Sequence, residues 1–553
     1  MTHDLGRTLG AAQDWLDNDP DPQTQAELAT LIATAQAGSH QALAALDNAF
    51  ATRLSFGTAG IRGALGPGPN RMNRVVVRQT AAGLARYLRA HGGGSVVIGH
   101  DARHRSADFA HDLASVLTQS GLSVMVLPRA LPTPVLAFAI RWLGCAAGVM
   151  VTASHNPPRD NGIKVYLGDG SQIVAPVDAE ISAEIDREVE LRHLAQDDPD
   201  AEWLTLDEQV VEAYIDTATA LVADSHHRNV RAVYTAMHGV GGVLLERVFA
   251  RAGFPPVIPV PEQFQPDADF PTVAFPNPEE PGAMDLALAL AREQAVDLII
   301  ASDPDADRCA IGIPDTGDSA WRMLSGDEVG WLLGWWMLQR GARGTLAQSL
   351  VSGSMLEAIA KSAGVDYDQT LTGFKWISRV PNLAYGYEEA LGYCVDPANV
   401  RDKDGITAAL LFAEMAASIK AKGQTIQGLL DQLALEHGVY ATSQVSVRVN
   451  DPAQITKSMQ ALRSNPPTSI GGFTVIGVDD LELPTDGLPP TDGLRFNLDD
   501  GGRVIVRPSG TEPKVKCYLQ VVERVQGGDV RAAREAAGAA LSRIAADART
   551  WLG

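Results

Sequence analysis

Cysteine is scarce in this chain. Its 553 residues include four, Cys145, Cys309, Cys394 and Cys517. They lie far apart and form no CxxC pair. That argues against a disulfide framework or a cysteine-ligated zinc site and fits a reducing compartment. Positive charge is also short, with 45 Lys and Arg against 67 Asp and Glu and a net charge of −22. Such a surface repels nucleic acid and anionic membrane, so neither is expected as a partner. A small anionic substrate stays open, because a local cluster of Arg and Lys overrides the global field. Long apolar runs are missing too. The longest, Val329 to Leu338, is half of the roughly 20 residues that a membrane span requires. The first residues, "MTHDLGRTLGAAQDWLDNDPD", are acidic and lack an apolar core, so no signal peptide is expected and the protein reads as cytoplasmic.

What is present is an ordinary globular composition, 45% apolar and 20% charged. At about 100–200 residues per domain, about three to four domains are expected. Residues 1 to about 50 are rich in Ala, Leu and Gln at helical spacing and predict a helical lead-in. "SFGTAGIRGALGPGPNRMN" is dense in Gly and Pro and predicts a loop region. Three passages then share one form, an apolar strand ending in a polar turn before a helix: "SVVIGHDAR", "RAVYTAMHGVGG" and "VDLIIASDPDADR". Strands alternating with helices imply sheets with parallel pairing and helices on both faces. Ligands of such sheets sit at the carboxyl ends of the strands, where all three polar turns lie. Linkers are expected at "LAQDDPDAEW" and near residue 440, where helical "TIQGLLDQLALEHG" yields to alternating "TSQVSVRV". The C-terminal part reads as short strands plus a final Ala-rich helix, an α+β unit. Its tandem "PTDGLPPTDGL" reads as a loop.

Three motifs carry chemistry. In "DPDADR", Asp303 to Arg308, three carboxylates alternate in a tight loop after an apolar strand. That spacing lets their oxygens converge on one hard cation. An EF-hand needs Gly at its sixth position and Glu at its twelfth, and here Arg308 and Pro314 stand there. The bland alternative is a solvated acidic turn. Magnesium is the favoured ion, because few carboxylates plus a phosphate oxygen suit it. In "VRPSGTEPKVK", Arg507 and Lys514 are cations, Ser509 and Thr511 are hydroxyl donors, and Gly510 frees the backbone. Such a turn makes an anion-binding concavity, although Pro-Ser-Gly is equally at home in a plain hairpin. The third motif is "VMVTASHNPPRDNGIKVY", Val149 to Tyr166, where an apolar run stops at Ser154 and His155, with Lys164 ten residues on. A lone serine there reads as a helix cap or turn. No G-x-S-x-G elbow and no G-x-x-x-x-G-K-[ST] loop occurs, which disfavours an esterase and a P-loop nucleotide enzyme. A serine near a metal loop and a phosphate loop suits a phosphoserine whose phosphate oxygen completes the metal shell.

"TASHNP", "DPDADR", "GYEEALG" and "RPSGTEPK", in that order, resemble the α-D-phosphohexomutase family from about Leu54 onward. The N-terminal extension and "GYEEALGY" resemble most the phosphoglucomutase/phosphopentomutase branch. The resemblance implies an α/β fold of four domains around a central cleft, three related α/β domains with mixed sheets plus a C-terminal α+β domain. Here these correspond to residues 51–205, 206–320, 321–440 and 441–553, after a helical extension over 1–50. It further implies that Ser154 is the phosphoserine and that Asp303, Asp305 and Asp307 hold Mg²⁺ together with the Ser154 phosphate. Arg308 would face phosphate or sugar, and Arg62 in "GTAGIRG" would lie near the reacting phosphate. Lys164 and Lys375 (in "TGFKW") would transfer protons and neutralise charge. His155 would assist the nucleophile, and Glu388 would recognise the sugar. Arg507, Ser509, Gly510, Thr511 and Lys514 would hold the non-reacting phosphate. Read singly, the two lysines suit a solvated surface as well, His155 could simply brace its turn, and His238 in "AMHGVGG" reads as structural.

The implied activity interconverts sugar 1-phosphate and 6-phosphate, with glucose first and mannose next, through a bisphosphorylated sugar. Glucose 1,6-bisphosphate, or the matching sugar bisphosphate, would be activator and intermediate. The chain departs from the pattern at Ala390, where hexose-specific members carry Ser. That loosens the glucose assignment and keeps phosphopentomutase as the alternative. A non-catalytic sugar-phosphate sensor is the rival of another class, and the presence of nucleophile, metal ligands and cations together argues against it. The expected ligand is a small phosphorylated sugar, bound by a monomer or dimer.

Overall fold

The computed structural model describes residues 5–54, 60–187, 202–315, 321–448, 452–483, 487–508 and 514–552. The chain divides into two compact units, residues 1–310 with 396–410, and residues 311–395 with 411–553.

In the first unit, helices Leu5–Leu16, Pro22–Gln36 and His40–Phe50 form the predicted lead-in. Asp21 and Ser39 cap the second and third. Ala12, Trp15, Leu28, Ile32 and Leu46 pack with Val75 and Val76 of helix Arg74–Ala90. A six-stranded sheet follows, in the order Ile61–Ala64, Asp160–Leu167, Ala147–Val151, Ser95–His100, Ser123–Val126, Leu204–Thr205. The last four strands are parallel and the first two antiparallel. Every residue of Ala147–Val151 is buried, as expected where helices cover both faces. Val96, Ile98, Val149 and Val151 join the core under helices Arg74–Ala90 and Ser106–Gln119. On the opposite face, Gly148 lies against Ile140 of helix Thr133–Trp142.

The predicted loop "SFGTAGIRGALGPGPNRMN" is corrected at Ile61–Ala64, which is an edge strand pairing Ile61 with Ile163 and Arg62 with Gly162. Gly and Pro on either side concealed four residues that take their strand pairing from the neighbouring strand. A second sheet has Ala232–Thr235 between Ile258–Pro259 and Leu298–Ala301, all parallel. The third strand–turn–helix passage is also corrected. After "DPDADR" the chain continues as strand Ala310–Pro314, because its apolar, β-branched run is short. The linker expected at "LAQDDPDAEW" lies largely outside the described residues.

In the second unit, strand Trp321–Met323 pairs antiparallel with the end of Ala310–Pro314. Ser325 and Glu328 close a capping box at the start of helix Gly326–Gln339. A four-stranded mixed sheet runs Tyr367–Thr370, Thr345–Ser349, Leu383–Glu388, Gly392–Cys394. The C-terminal sheet is antiparallel, in the order Val439–Arg448, Lys514–Glu523, Arg503–Pro508, Leu494–Leu498, Phe473–Asp480, Ser469–Ile470. Helix Val530–Leu552 packs into its core through Ala537, Ile544 and Ala548.

Candidate active site

Strand Ala147–Val151 delivers its chain to a loop built around one arginine. The Arg103 guanidinium, on a side chain 1% exposed, donates to the carbonyls of Ser154 (2.5 Å), Asn156 (2.6 Å), Pro157 (2.9 Å) and Asp160 (3.2 Å). One buried guanidinium thereby ties together four carbonyls of the loop. Phe270 covers the guanidinium at 4.8 Å. Within this loop Ser154 is left-handed, with φ +51°, a conformation a non-glycine residue holds only where its surroundings fix it. Its N–H donates to Thr152 Oγ1 at 2.9 Å. Ser154 Oγ donates to Asp303 Oδ2 at 2.7 Å and lies 3.1 Å from His155 Nδ1.

The sheet brings the remaining groups back to the same place. Antiparallel pairing sets Lys164 opposite Met150, so a residue ten positions past Ser154 returns beside it. Lys164 Nζ donates to Asp305 Oδ2 (2.7 Å) and Asp307 Oδ2 (2.8 Å) and is buried. Edge pairing with Gly162 places Arg62, whose Nη1 reaches Asn156 Oδ1 at 3.5 Å. Arg308 donates its backbone N–H to Asp303 Oδ1 at 3.1 Å, and its Nε lies 3.9 Å from Asp303 Oδ2. Behind the acidic loop, Gly239 of "AMHGVGG" lies so close that a Cβ there would fall 2.3 Å from Pro304 Cα. His238 bonds Thr272 Oγ1 at 2.8 Å, a structural placement.

Asp303, Asp305 and Asp307 are all buried, and one oxygen of each lies within 4.8 Å of the others. Asp305 Oδ1 and Asp307 Oδ1 are buried without a hydrogen-bond partner. Unpaired buried carboxylate oxygens are costly, and a converging all-oxygen set suits a hard divalent cation. The cluster could therefore hold a metal ion.

Charge around the cluster is uneven. Burial, with Asp305 and Asp307 adding to it, holds the Asp303 carboxyl well above the usual carboxylate range. Burial and Asp307 push Asp305 up as well, but Lys164 and the hydrogen bonds it receives hold it low. Burial opposes ionisation of Asp307 too, and Lys164, Lys403 and Arg308 together overcome it. For Lys164 the loss of water is outweighed by its two aspartates, which hold its pKa above the ordinary lysine value. Loss of water, then Arg308 and Arg62, push the His155 imidazole well below its ordinary value, so it is neutral at pH 7.

Three site residues escaped sequence reasoning. Arg103 stands in "GHDAR", whose sequence shows only a polar turn. Thr133 donates to Asp305 Oδ2 at 2.6 Å and carries no motif. Lys403 lies 3.2 Å from Asp307 Oδ2. The charged run "RDKDG" before a helix was a usable signal for it, but which residue its ammonium meets is decided by folding. Asp402, its neighbour, accepts from Tyr166 Oη and Gln172 Nε2, both at 2.7 Å.

The second unit holds the other expected residues. Lys375 is buried on the short helix Phe374–Ile377, with Nζ 5.9 Å from the Trp376 ring centroid. Glu388 ends strand Leu383–Glu388 and is buried, and Ala390 is half-buried. Glu389, between them, accepts from Ser349 and Ser352 Oγ, each at 3.0 Å. Arg507 donates to Thr372 Oγ1 and so ties the end of strand Arg503–Pro508 to the loop that precedes Lys375. Lys514 opens strand Lys514–Glu523. Ser509, Gly510 and Thr511 lie outside the described residues. Thus Ser154, His155, Lys164, Arg62, Arg308 and the three aspartates are brought together in one unit, while Lys375, Glu388, Ala390, Arg507 and Lys514 belong to the other.

Family models match four successive stretches. Residues 53–192, 212–316 and 325–436 match the phosphoglucomutase/phosphomannomutase alpha/beta/alpha domains I, II and III, and residues 445–537 match the C-terminal domain. A "Probable phosphomannomutase" of Haemophilus influenzae is 49% identical over 456 residues, covering 81% of this chain and 92% of that protein. A human protein named phosphopentomutase is 35% identical, covering 86% of each chain. A Staphylococcus haemolyticus protein named phosphoglucomutase is also 35% identical, over 86% of this chain and 91% of its own. Four domains in order, with such identity along most of the chain, show that it belongs to the phosphoglucomutase/phosphomannomutase family of phosphosugar mutases, isomerases that move a phosphoryl group within a sugar phosphate.

Proposed function

We propose that the chain interconverts glucose 1-phosphate and glucose 6-phosphate through phospho-Ser154, with mannose phosphates as further substrates. The observation that carries this reading is the contact of Ser154 Oγ with Asp303 at 2.7 Å, beside the one three-carboxylate cluster among the described residues. In the first half-reaction the bond from phosphorus to Ser154 Oγ breaks, a bond from phosphorus to the free sugar hydroxyl forms, and the hydroxyl proton passes to a base. The bisphosphorylated sugar then presents its other phosphate, which returns to Ser154. A divalent cation, Mg²⁺ by preference, held by Asp303, Asp305 and Asp307, would neutralise charge on the phosphoryl oxygens. Arg62 and Arg308 contribute fixed positive charge toward the same oxygens, and neither needs to reorganise as charge shifts. Lys164, kept protonated by two aspartates, is suited to give a proton rather than to take one. Neutral His155, in its Nδ1–H tautomer, can donate a hydrogen bond to Ser154 Oγ and orient it while that oxygen's own proton goes to Asp303.

Lys375 is assigned to charge neutralisation, Glu388 to the sugar hydroxyls, and Arg507, Ser509, Gly510, Thr511 and Lys514 to the non-reacting phosphate. Ala390 favours a second reading, a phosphopentomutase acting on ribose or deoxyribose 1-phosphate. It removes a hydroxyl that a hexose-specific loop would offer, and a relative of that name shares 35% identity. The test uses glucose 1-phosphate and ribose 1-phosphate in turn, with Mg²⁺ and a trace of the matching bisphosphate. Protein as isolated should carry a partial phosphate mass on the peptide 149–166, and Ser154→Ala should lose several orders of magnitude in turnover. Near-normal turnover by Ser154→Ala sinks the mechanism, and a strong preference for ribose 1-phosphate replaces the first substrate with the second.

A further inference from the structure

The helices before residue 54 meet Arg105, close to the nucleophile loop, through Asp21 and Gln23. Asp21 caps helix Pro22–Gln36, accepting from the Gln23 N–H at 3.0 Å. Its Oδ2 also pairs with the guanidinium of Arg105, and Asp21 is 4% exposed. Arg105 reaches Gln23 Oε1 at 3.3 Å and Asp108 at 3.1 Å as well. Its backbone is left-handed, φ +69°. That conformation is disfavoured for an arginine, so something must hold it there.

Two residues earlier stands Arg103, which gathers the carbonyls of Ser154, Asn156, Pro157 and Asp160. The turn between the two arginines is closed. Ser106 N–H donates to Arg103 O at 3.1 Å, Ser106 Oγ to Asp101 Oδ1 at 2.6 Å, and Asn161 Nδ2 to His104 O at 2.9 Å. A run of direct contacts therefore leads from the N-terminal helices to the carbonyl of Ser154.

We propose that the N-terminal helices act as a positioning element for the nucleophile loop. Asp21 holds Arg105 in its left-handed conformation, Arg105 sets the turn Asp101–Ser106, and the turn aims Arg103 at the four carbonyls. The inference rests on the reading of Ser154 as the phosphorylated residue. Asp21 is a positioning residue, acting through Arg105 and Arg103 and touching no reacting atom.

The test uses the full chain and the variant Asp21→Asn. Asparagine caps a helix as well as aspartate does, so the variant removes the charge and keeps the cap. Thr8→Ala is the control, since it removes the Thr8–Asp47 hydrogen bond within the same helices (3.1 Å) without touching Arg105. Amide exchange on the peptide 149–166 should speed up about three- to tenfold in Asp21→Asn. Its kcat with glucose 1-phosphate should fall about three- to tenfold at nearly constant KM, as expected for misplaced reacting groups. Thr8→Ala should match the parent in both readouts. Should Asp21→Asn not fold, Arg105→Ala, which gives up the ion pair and does not favour positive φ, should show the same pattern. Unchanged exchange, unchanged kcat, or an equal loss in Thr8→Ala overturns the inference. Ser154→Ala, run alongside, separates the two ideas. Normal turnover there removes the nucleophile reading and with it this inference, whereas unchanged exchange in Asp21→Asn overturns the inference and leaves the nucleophile intact.

Discussion

Replacing Lys164 with Met separates what the ammonium does for the fold from what it does for the reaction. Lys164 is 2% exposed and bridges Asp305 and Asp307 at 2.7 and 2.8 Å. Removing one partner of a buried ion pair costs about 3–5 kcal/mol, because the other charge is left unpaired. Here the lower end applies, since Asp307 keeps Lys403 at 3.2 Å and Asp305 keeps Thr133 at 2.6 Å. About 3 kcal/mol lowers the midpoint of a unit of this size by about 4 °C. That loss is expected in chelator, where the three carboxylates repel one another with one cation fewer. Added Mg²⁺ should recover most of it. The more negative cluster should also bind the metal at least about tenfold more tightly, or about 1.4 kcal/mol. Turnover should nevertheless fall by about 10²–10⁴, the usual contribution of a placed proton donor. The assays are thermal unfolding with chelator and with Mg²⁺, metal titration by calorimetry, and conversion of glucose 1-phosphate coupled to a glucose 6-phosphate dehydrogenase. Tighter metal binding with lost turnover is the signature. Parental turnover, weaker metal binding, or an unchanged midpoint in chelator would refute the reasoning.

Three further outcomes follow from the geometry. Asp404 accepts from Tyr214 Oη and from the N–H groups of Ile406 and Thr407, and burial pushes its carboxyl up to about 6 from 3.8. The folded state thus binds this proton more tightly than the unfolded chain. The resulting stability is fully present below the unfolded value and is lost as pH rises through about 6, so on going from pH 7.5 to pH 5 the parent should gain about 1.4 kcal/mol over Asp404→Asn in denaturant titrations. Gly405→Ala would set a Cβ 2.2 Å from Arg308 O and 2.8 Å from Ala306 O. Backbone cannot yield cheaply, so a loss of about 1–3 kcal/mol and weaker Mg²⁺ binding are expected, and parental metal affinity would show that the acidic loop does not depend on that contact. Ala390→Ser should shift the kcat/KM ratio toward glucose 1-phosphate over ribose 1-phosphate by about 1–2 kcal/mol if one hydrogen bond is gained, and a ratio that does not move would remove that position from specificity.

Much of the site was legible in the sequence because its chemistry is local. Asp303, Asp305 and Asp307 sit two residues apart after an apolar strand, and such a loop draws its carboxylates together wherever the strand lies. Ser154 interrupts an apolar run with a turn, and that signal also needs no partner. The strand–turn–helix passages from Ser95 to Gln119 and from Ala232 to Arg251 were readable from periodicity alone, which is a property of one segment at a time.

Tertiary structure decided what lies at the end of each side chain. Strand Ile61–Ala64 was hidden among Gly and Pro because an edge strand of four residues takes its identity from the strand beside it. Strand Ala310–Pro314 stood where a helix was expected, since a short apolar run takes its state from its neighbours. Arg103 looked like any arginine in a turn. That it gathers four carbonyls of the serine loop depends on a buried charge finding partners 51 to 57 residues away. Lys403 meets Asp307 across 96 residues of sequence. Residue type announces which groups can do chemistry, because charge and hydrogen-bonding capacity belong to the side chain itself. Which of them meet is set by strand register and packing, and these are satisfied by the whole unit at once rather than by any stretch of the chain.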